Sequence, residues 1–83
     1  MSKAKVLIAD DSQTVRDMLS FILAKEGFLT VTACDGIEAI EICGRTQGIR
    51  LLLTDVVMPK MSGRELVERI TAAHPGIKTP IAV

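Results

Sequence analysis

Short apolar runs alternate with amphipathic stretches along this chain, and that alternation leaves few folds open. Lys5–Ala9 is a continuous apolar run closed by Asp10 and Asp11, as expected of a central parallel strand buried on both faces. Val15, Met18, Leu19, Ile22 and Leu23 then recur at helical spacing, with Ser12 the expected N-cap and Gly27 the expected stop. Residues 28–33, rich in Thr, Val and Leu, predict a second strand, and Asp35-Gly36 marks a turn. Residues 37 to about 45 predict a second helix with Ile37, Ala39, Ile40 and Cys43 inward. A third strand follows at 51–54, closed by Asp55. Ser62, with Glu65 three residues on, is a capping box for a third helix. Leu66, Val67, Ile70 and Ala73 supply its inner face, and His74-Pro75-Gly76 ends it. Residues 80–83 begin a fourth strand.

Strands alternating with helices imply a parallel sheet joined by right-handed crossovers, hence an open, doubly wound α/β fold. With 83 residues the chain makes one small domain. Only Phe21 and Phe28 bring aromatic bulk, so stability is expected to be marginal. Ten basic and ten acidic residues cancel, which argues against direct nucleic-acid binding and against an anionic membrane surface. The apolar runs are far shorter than the ~20 residues of a membrane span, and the N-terminus is too short to read as a signal peptide. A cytoplasmic location is the expectation. Cys34 and Cys43 form no staple framework and read most simply as small buried hydrophobes.

In an open α/β sheet, ligands bind beyond the carboxyl ends of the strands, where the strand order reverses. If the first and third strands are neighbours, Asp10, Asp11 and Asp55 arrive together at that edge. Three such carboxylates repel one another, and a hard divalent cation is the natural remedy. Mg²⁺ fits best, because it takes one or two carboxylates, keeps several waters and accepts phosphate oxygens. The helix opening at Ser12 aims backbone N–H groups at the same place and favours an anion. Taken together, these features predict a phosphoryl site. The bland alternatives are that Asp10 and Asp11 merely decorate a helix start, that Thr54 is a buried strand residue, and that His74 is a solvated cap. Arg45, Arg50, Arg64 and Arg69 are scattered and read as solvated faces.

The acid pair after the first strand, Asp55 closing the third, and the loop Val56-Val57-Met58-Pro59-Lys60-Met61-Ser62-Gly63 resemble a response-regulator receiver domain of two-component signalling. The resemblance covers the whole chain, residues 1–83. It implies a flavodoxin-like, CheY-like fold, of which this chain would be a (βα)3β fragment of a (βα)5 whole, incomplete at the C-terminus. It also implies roles residue by residue. Asp55 is the phosphoacceptor, Asp11 binds Mg²⁺ directly, and Asp10 holds it largely through water. Val57 matches the position whose backbone carbonyl completes the metal shell. Pro59 and Gly63 match the family's loop. The implied donor is a phosphohistidine on a sensor histidine kinase, and the implied role is that of a phosphoacceptor rather than an enzyme. The family's Ser/Thr past the fourth strand and its Lys after the fifth have no counterpart here, and Lys60 is expected to reach solvent instead of replacing that Lys.

Two other functions compete. One is a truncated interaction module that keeps the acidic metal site without switching, and forms a homodimer or exchanges C-terminal segments through an exposed edge strand. The other is a Mg²⁺-dependent phosphatase with an aspartyl nucleophile. Such sites usually place a second Asp two residues after the nucleophile, whereas Asp10-Asp11 is adjacent and followed by Ser12-Gln13.

Overall fold

The computed structural model describes residues 4–78 of the chain. Three parallel strands, β1 (Lys5–Ala9), β2 (Leu29–Ala33) and β3 (Ile49–Thr54), form one sheet in the order β2-β1-β3. Three helices connect and flank them: α1 (Gln13–Lys25), α2 (Gly36–Arg45) and α3 (Gly63–Ala73). The doubly wound α/β arrangement expected from the alternation is present. β1 is the central strand, and Val6, Leu7, Ile8 and Ala9 are all buried, which is why it reads as an unbroken apolar run.

Chain order reverses across β1 and β3, so the fold puts its crevice between them. Their register matters for the site. It shifts between Lys5 and Val6, then runs evenly until Ala9 lies opposite Thr54. The next residue on each strand is therefore an aspartate, Asp10 beside Asp55. The Asp55 amide still donates to the Ala9 carbonyl at 3.0 Å, and the Asp10 amide donates to the Ala33 carbonyl at 3.1 Å.

Each helix starts at a polar cap. Ser12 accepts from the Val15 amide and Ser62 from the Glu65 amide, as the sequence patterns predict. The α3 capping box is half formed, because the Glu65 carboxylate meets Arg69 at 2.9 Å. A reciprocal pair does form at α2, one residue out of register with a capping box: Asp35 caps the Glu38 amide at 2.8 Å, while Glu38 accepts from the Cys34 amide, just before the cap, at 2.7 Å. Gly27, at φ +94, turns the chain from α1 into β2, where a side chain would be strained.

Several expectations need correction. β3 begins at Ile49, two residues before the apolar triplet. In α2 the buried stripe is Gly36, Ala39, Ile42 and Cys43, while Ile37 is exposed; the close packing of Gly36 sets that rotation. Met18 and Ile22 of α1 are about half exposed, so the inner face of that helix is narrower than its periodicity suggests. Cys34 is exposed, whereas Cys43 is buried as expected. The fourth strand expected at 80–83, and with it the exposed edge at 81–83, lies outside the described residues. Pairing against β3 already begins at Lys78, which exchanges 2.8 Å hydrogen bonds with Arg50 and Leu52.

Candidate metal and phosphoryl site

Asp10, Asp11 and Asp55 converge at the carboxyl edge of β1 and β3. One carboxylate oxygen from each lies within 4.8 Å of the others. Asp10 is buried, Asp55 half-buried and Asp11 exposed, so the cluster is open to solvent on one side. Octahedral Mg²⁺ sets opposite oxygen ligands about 4.2 Å apart, twice its short bond length. Carboxylate oxygens within 4.8 Å of one another are close enough to share one such ion together with water. The donor set, hard oxygen atoms only, suits the same ion.

The three acids are held differently. Asp10 accepts the Ser12 amide at 2.9 Å, a local Asx-type turn that fixes its carboxylate at the mouth of α1. Its carbonyl accepts a 2.6 Å bond from an Arg16 guanidinium nitrogen, one turn into α1. Sequence reading missed Arg16. Its only signal is a basic residue in the first turn of α1, where the helix dipole disfavours it unless something binds it.

Asp55 is held through its backbone. Its carbonyl accepts the Thr54 hydroxyl at 3.0 Å and faces Gly63 so closely that a Cβ on Gly63 would run into it. The Gly63 amide donates to the Val56 carbonyl at 2.8 Å, closing the loop from β3 to α3. This is the physical reason for glycine at the end of the M-P-K-M-S-G motif: the loop returns onto the carbonyl of the residue that opens it. Thr54 is buried, in line with its strand reading, and Met58 and Met61 are buried beneath the loop. Val57 lies two residues past Asp55 and is 77% exposed; its apolar side chain offers no ligand atom, so any part it takes in the site runs through its main chain. Pro59 is exposed within the same loop.

Below the acids the floor is apolar. A cavity of about 30 Å³ between β1, β3 and α1 is bounded by Ile8, Val15, Leu19 and Leu53, with Asp10 and Asp55 at its rim. A larger hollow of about 750 Å³ opens at the opposite ends of the strands, between 43–50 and 73–77. It holds neither the acid cluster nor the loop motif.

Lys60 does not extend freely into solvent. It is 62% exposed, yet its ammonium lies 3.4 Å from Asp35, and its backbone adopts φ +71. The Glu38 amide first, and then this ammonium, hold the Asp35 carboxyl below the usual carboxylate range. Partial desolvation, with Glu38 and Asp35 alongside, pushes the Cys34 thiol up, so it is poorly suited to act as a thiolate.

Comparison with known proteins points the same way. Residues 6–83 match the family described as response regulator receiver domain. Regulator of RpoS from Escherichia coli K12 is 35% identical over 79 residues, 95% of this chain and 23% of its own length. The chemotaxis protein CheY4 of Vibrio cholerae superposes with a TM-score of 0.84 at 35% identity, covering 90% of this chain and 62% of that one. The response regulator TrrA of Thermotoga maritima, solved in complex with Mg(2+)-BeF, superposes with a TM-score of 0.86 at 29% identity, covering 92% and 65%. The chain thus spans about a quarter of that curated relative and under two thirds of those solved structures. No helix among the described residues is long and apolar enough to cross a membrane.

Proposed function

This chain belongs to the response regulator receiver domain family, and from that premise we propose that Asp55 accepts a phosphoryl group from a histidine kinase, with Mg²⁺ held by Asp10, Asp11, Asp55 and the Val57 carbonyl. One observation carries the reading. Three carboxylates lie within 4.8 Å of one another at the crevice of a doubly wound sheet. The Mg(2+)-BeF complex of the Thermotoga relative supports the same ion and a phosphoryl-like ligand for a site of this kind.

The residues divide the work. An Asp55 carboxylate oxygen attacks phosphorus in line with the bond to the donor nitrogen. The new O–P bond forms as the N–P bond breaks, leaving an aspartyl phosphate, and the departing imidazole takes up a proton. When bound, Mg²⁺ offsets the charge of the three acids and of the incoming phosphoryl oxygens. Asp10, fixed by the Ser12 amide, holds its carboxylate in one orientation. The first turn of α1 turns unpaired N–H groups toward the same edge. Thr54 and Gly63 hold the Asp55 backbone, leaving its side chain to react.

Incubation with a small phosphodonor and Mg²⁺ should add one phosphoryl mass, and Asp55→Asn should abolish the addition. Equal labelling of wild type and variant would overturn the reading. Repeated turnover of a phosphomonoester would favour a phosphatase instead. The family match and the assembled acid trio do not favour the alternative of an assembly module without switching.

A further inference from the structure

The loop that carries Asp55 is fastened to a second element that does not itself reach the acids. Asp35 is buried at the N-terminus of α2 and engages both carboxylate oxygens, one of them also accepting from the Cys34 thiol at 3.6 Å. One oxygen caps the Glu38 amide at 2.8 Å, and the other meets the Lys60 ammonium at 3.4 Å. The next residue on each side also meets its counterpart. Met61 is buried on Gly36, where an added Cβ would come within 2.9 Å of both the Cβ and the sulfur of Met61. Between these contacts and Asp55, Lys60 holds a left-handed backbone that a side-chain-bearing residue seldom adopts without support.

We propose that the first turn of α2, through Asp35 and Gly36, positions the phosphoacceptor loop by gripping Lys60 and Met61. Asp35, Gly36 and Lys60 are thus positioning residues for the chemistry at Asp55. The inference rests on the reading of Asp55 as phosphoacceptor. Its physical basis is the short span involved. Only four residues separate Asp55 from Lys60, so a shift of the gripped end passes directly to the Val57 main chain and the Asp55 carbonyl. The grip on Gly36 tolerates little adjustment, because Met61 meets it with Cβ, which moves only with the backbone.

The test compares wild type with Asp35→Asn, Lys60→Gly, their double variant, and Gly36→Ala. Asparagine keeps the acceptor for the Glu38 amide and removes the charge that faces Lys60. Glycine accepts the left-handed backbone without strain and removes only the side-chain link. Four quantities are read: the rate of phosphoryl uptake from a small phosphodonor, Mg²⁺ affinity by titration, amide NMR positions of residues 56–62, and the urea unfolding midpoint.

Asp35→Asn and Lys60→Gly should each slow uptake about two- to fivefold, the scale of an exposed ion pair. The double variant should be no slower than the worse single one. Gly36→Ala should slow uptake about tenfold or more, since misplacement by a fraction of an ångström is costly. Lys60→Gly is the decisive split, slower uptake with an undiminished unfolding midpoint, which a purely structural role would not produce. Unchanged rates and Mg²⁺ affinities together with unmoved 56–62 signals would overturn the proposal, as would lowered stability with unchanged rates. If wild type itself takes up no phosphoryl group, the Asp55 reading fails. The positioning claim is then judged by the amide signals alone, which must move in Asp35→Asn for it to stand.

Discussion

The two faces of the sheet are built unequally. On the face covered by α2 and α3, Leu7, Ala9, Ala39, Ile42, Leu52, Leu66 and Ile70 form one continuous buried cluster. On the α1 face, β1 contributes the buried Val6 and Ile8, but no residue of α1 is fully buried, and Met18, Phe21 and Ile22 stand half or more exposed. The candidate site straddles the two: Asp10 and Asp11 lead into α1, and Asp55 leads into α3. Packing that holds the acceptor loop therefore comes from one face, while the helix mouth that orients Asp10 comes from the other. The α2/α3 face supplies rigidity, and the α1 face contributes mainly the polar turn at its start.

Truncations on each face give the widest contrast. Leu66→Ala, at a site with no exposure, should cost about 2–5 kcal/mol. Ile22→Ala, at a half-exposed site, should cost under about 1 kcal/mol. Urea unfolding of both variants measures this directly. Similar losses would mean that α1 is packed as firmly as α3, and the inequality of the faces would be lost.

Two glycines sharpen the contrast within the α2/α3 layer. A Cβ at Gly63 would strike the Asp55 carbonyl, so Gly63→Ala should destabilise by about 1–3 kcal/mol and disturb phosphoryl uptake as well. Gly44, on the exposed side of α2, has nothing within 4 Å of an added Cβ. Gly44→Ala should stabilise by about 0.5–1 kcal/mol, from helix propensity and a stiffer unfolded chain, and leave uptake unchanged. Thermal unfolding with parallel labelling separates the two outcomes.

Much of this was legible in the amino-acid order because it is local. Apolar runs ending in aspartate locate β1 and β3, and the Ser12 and Ser62 caps locate the starts of α1 and α3. The convergence of Asp10, Asp11 and Asp55 needed one topological step, the adjacency of β1 and β3. Helical periodicity gave the apolar stripe of α1 but not its depth of burial, because depth depends on what covers the stripe. Ile37, expected inward, is exposed and Ile42 is buried, in step with Gly36 packing against Met61, a contact between residues 25 apart. The Lys60–Asp35 pair has the same separation. Each half reads as ordinary turn chemistry, and only the fold brings them together.

The smallest expected effect concerns the caps of α2 and α3. Asp35 caps α2 with a titratable group, whereas Ser62 caps α3 with a neutral one. The Glu38 amide and the Lys60 ammonium depress the Asp35 folded-state pKa below its ordinary 3.8. A depressed value means that the carboxylate stabilises the fold above the unfolded value, and that this contribution fades as pH falls through the folded one. The contribution is therefore complete near neutrality and is withdrawn from about pH 4 downward. The difference in unfolding midpoint between wild type and Asp35→Asn should be constant above pH 5 and shrink toward pH 2. Amide exchange should show the first turn of α2 loosening in that range before the first turn of α3. A difference that stayed flat with pH would mean that the Asp35 charge adds nothing to its cap, and that the two helix starts are held alike.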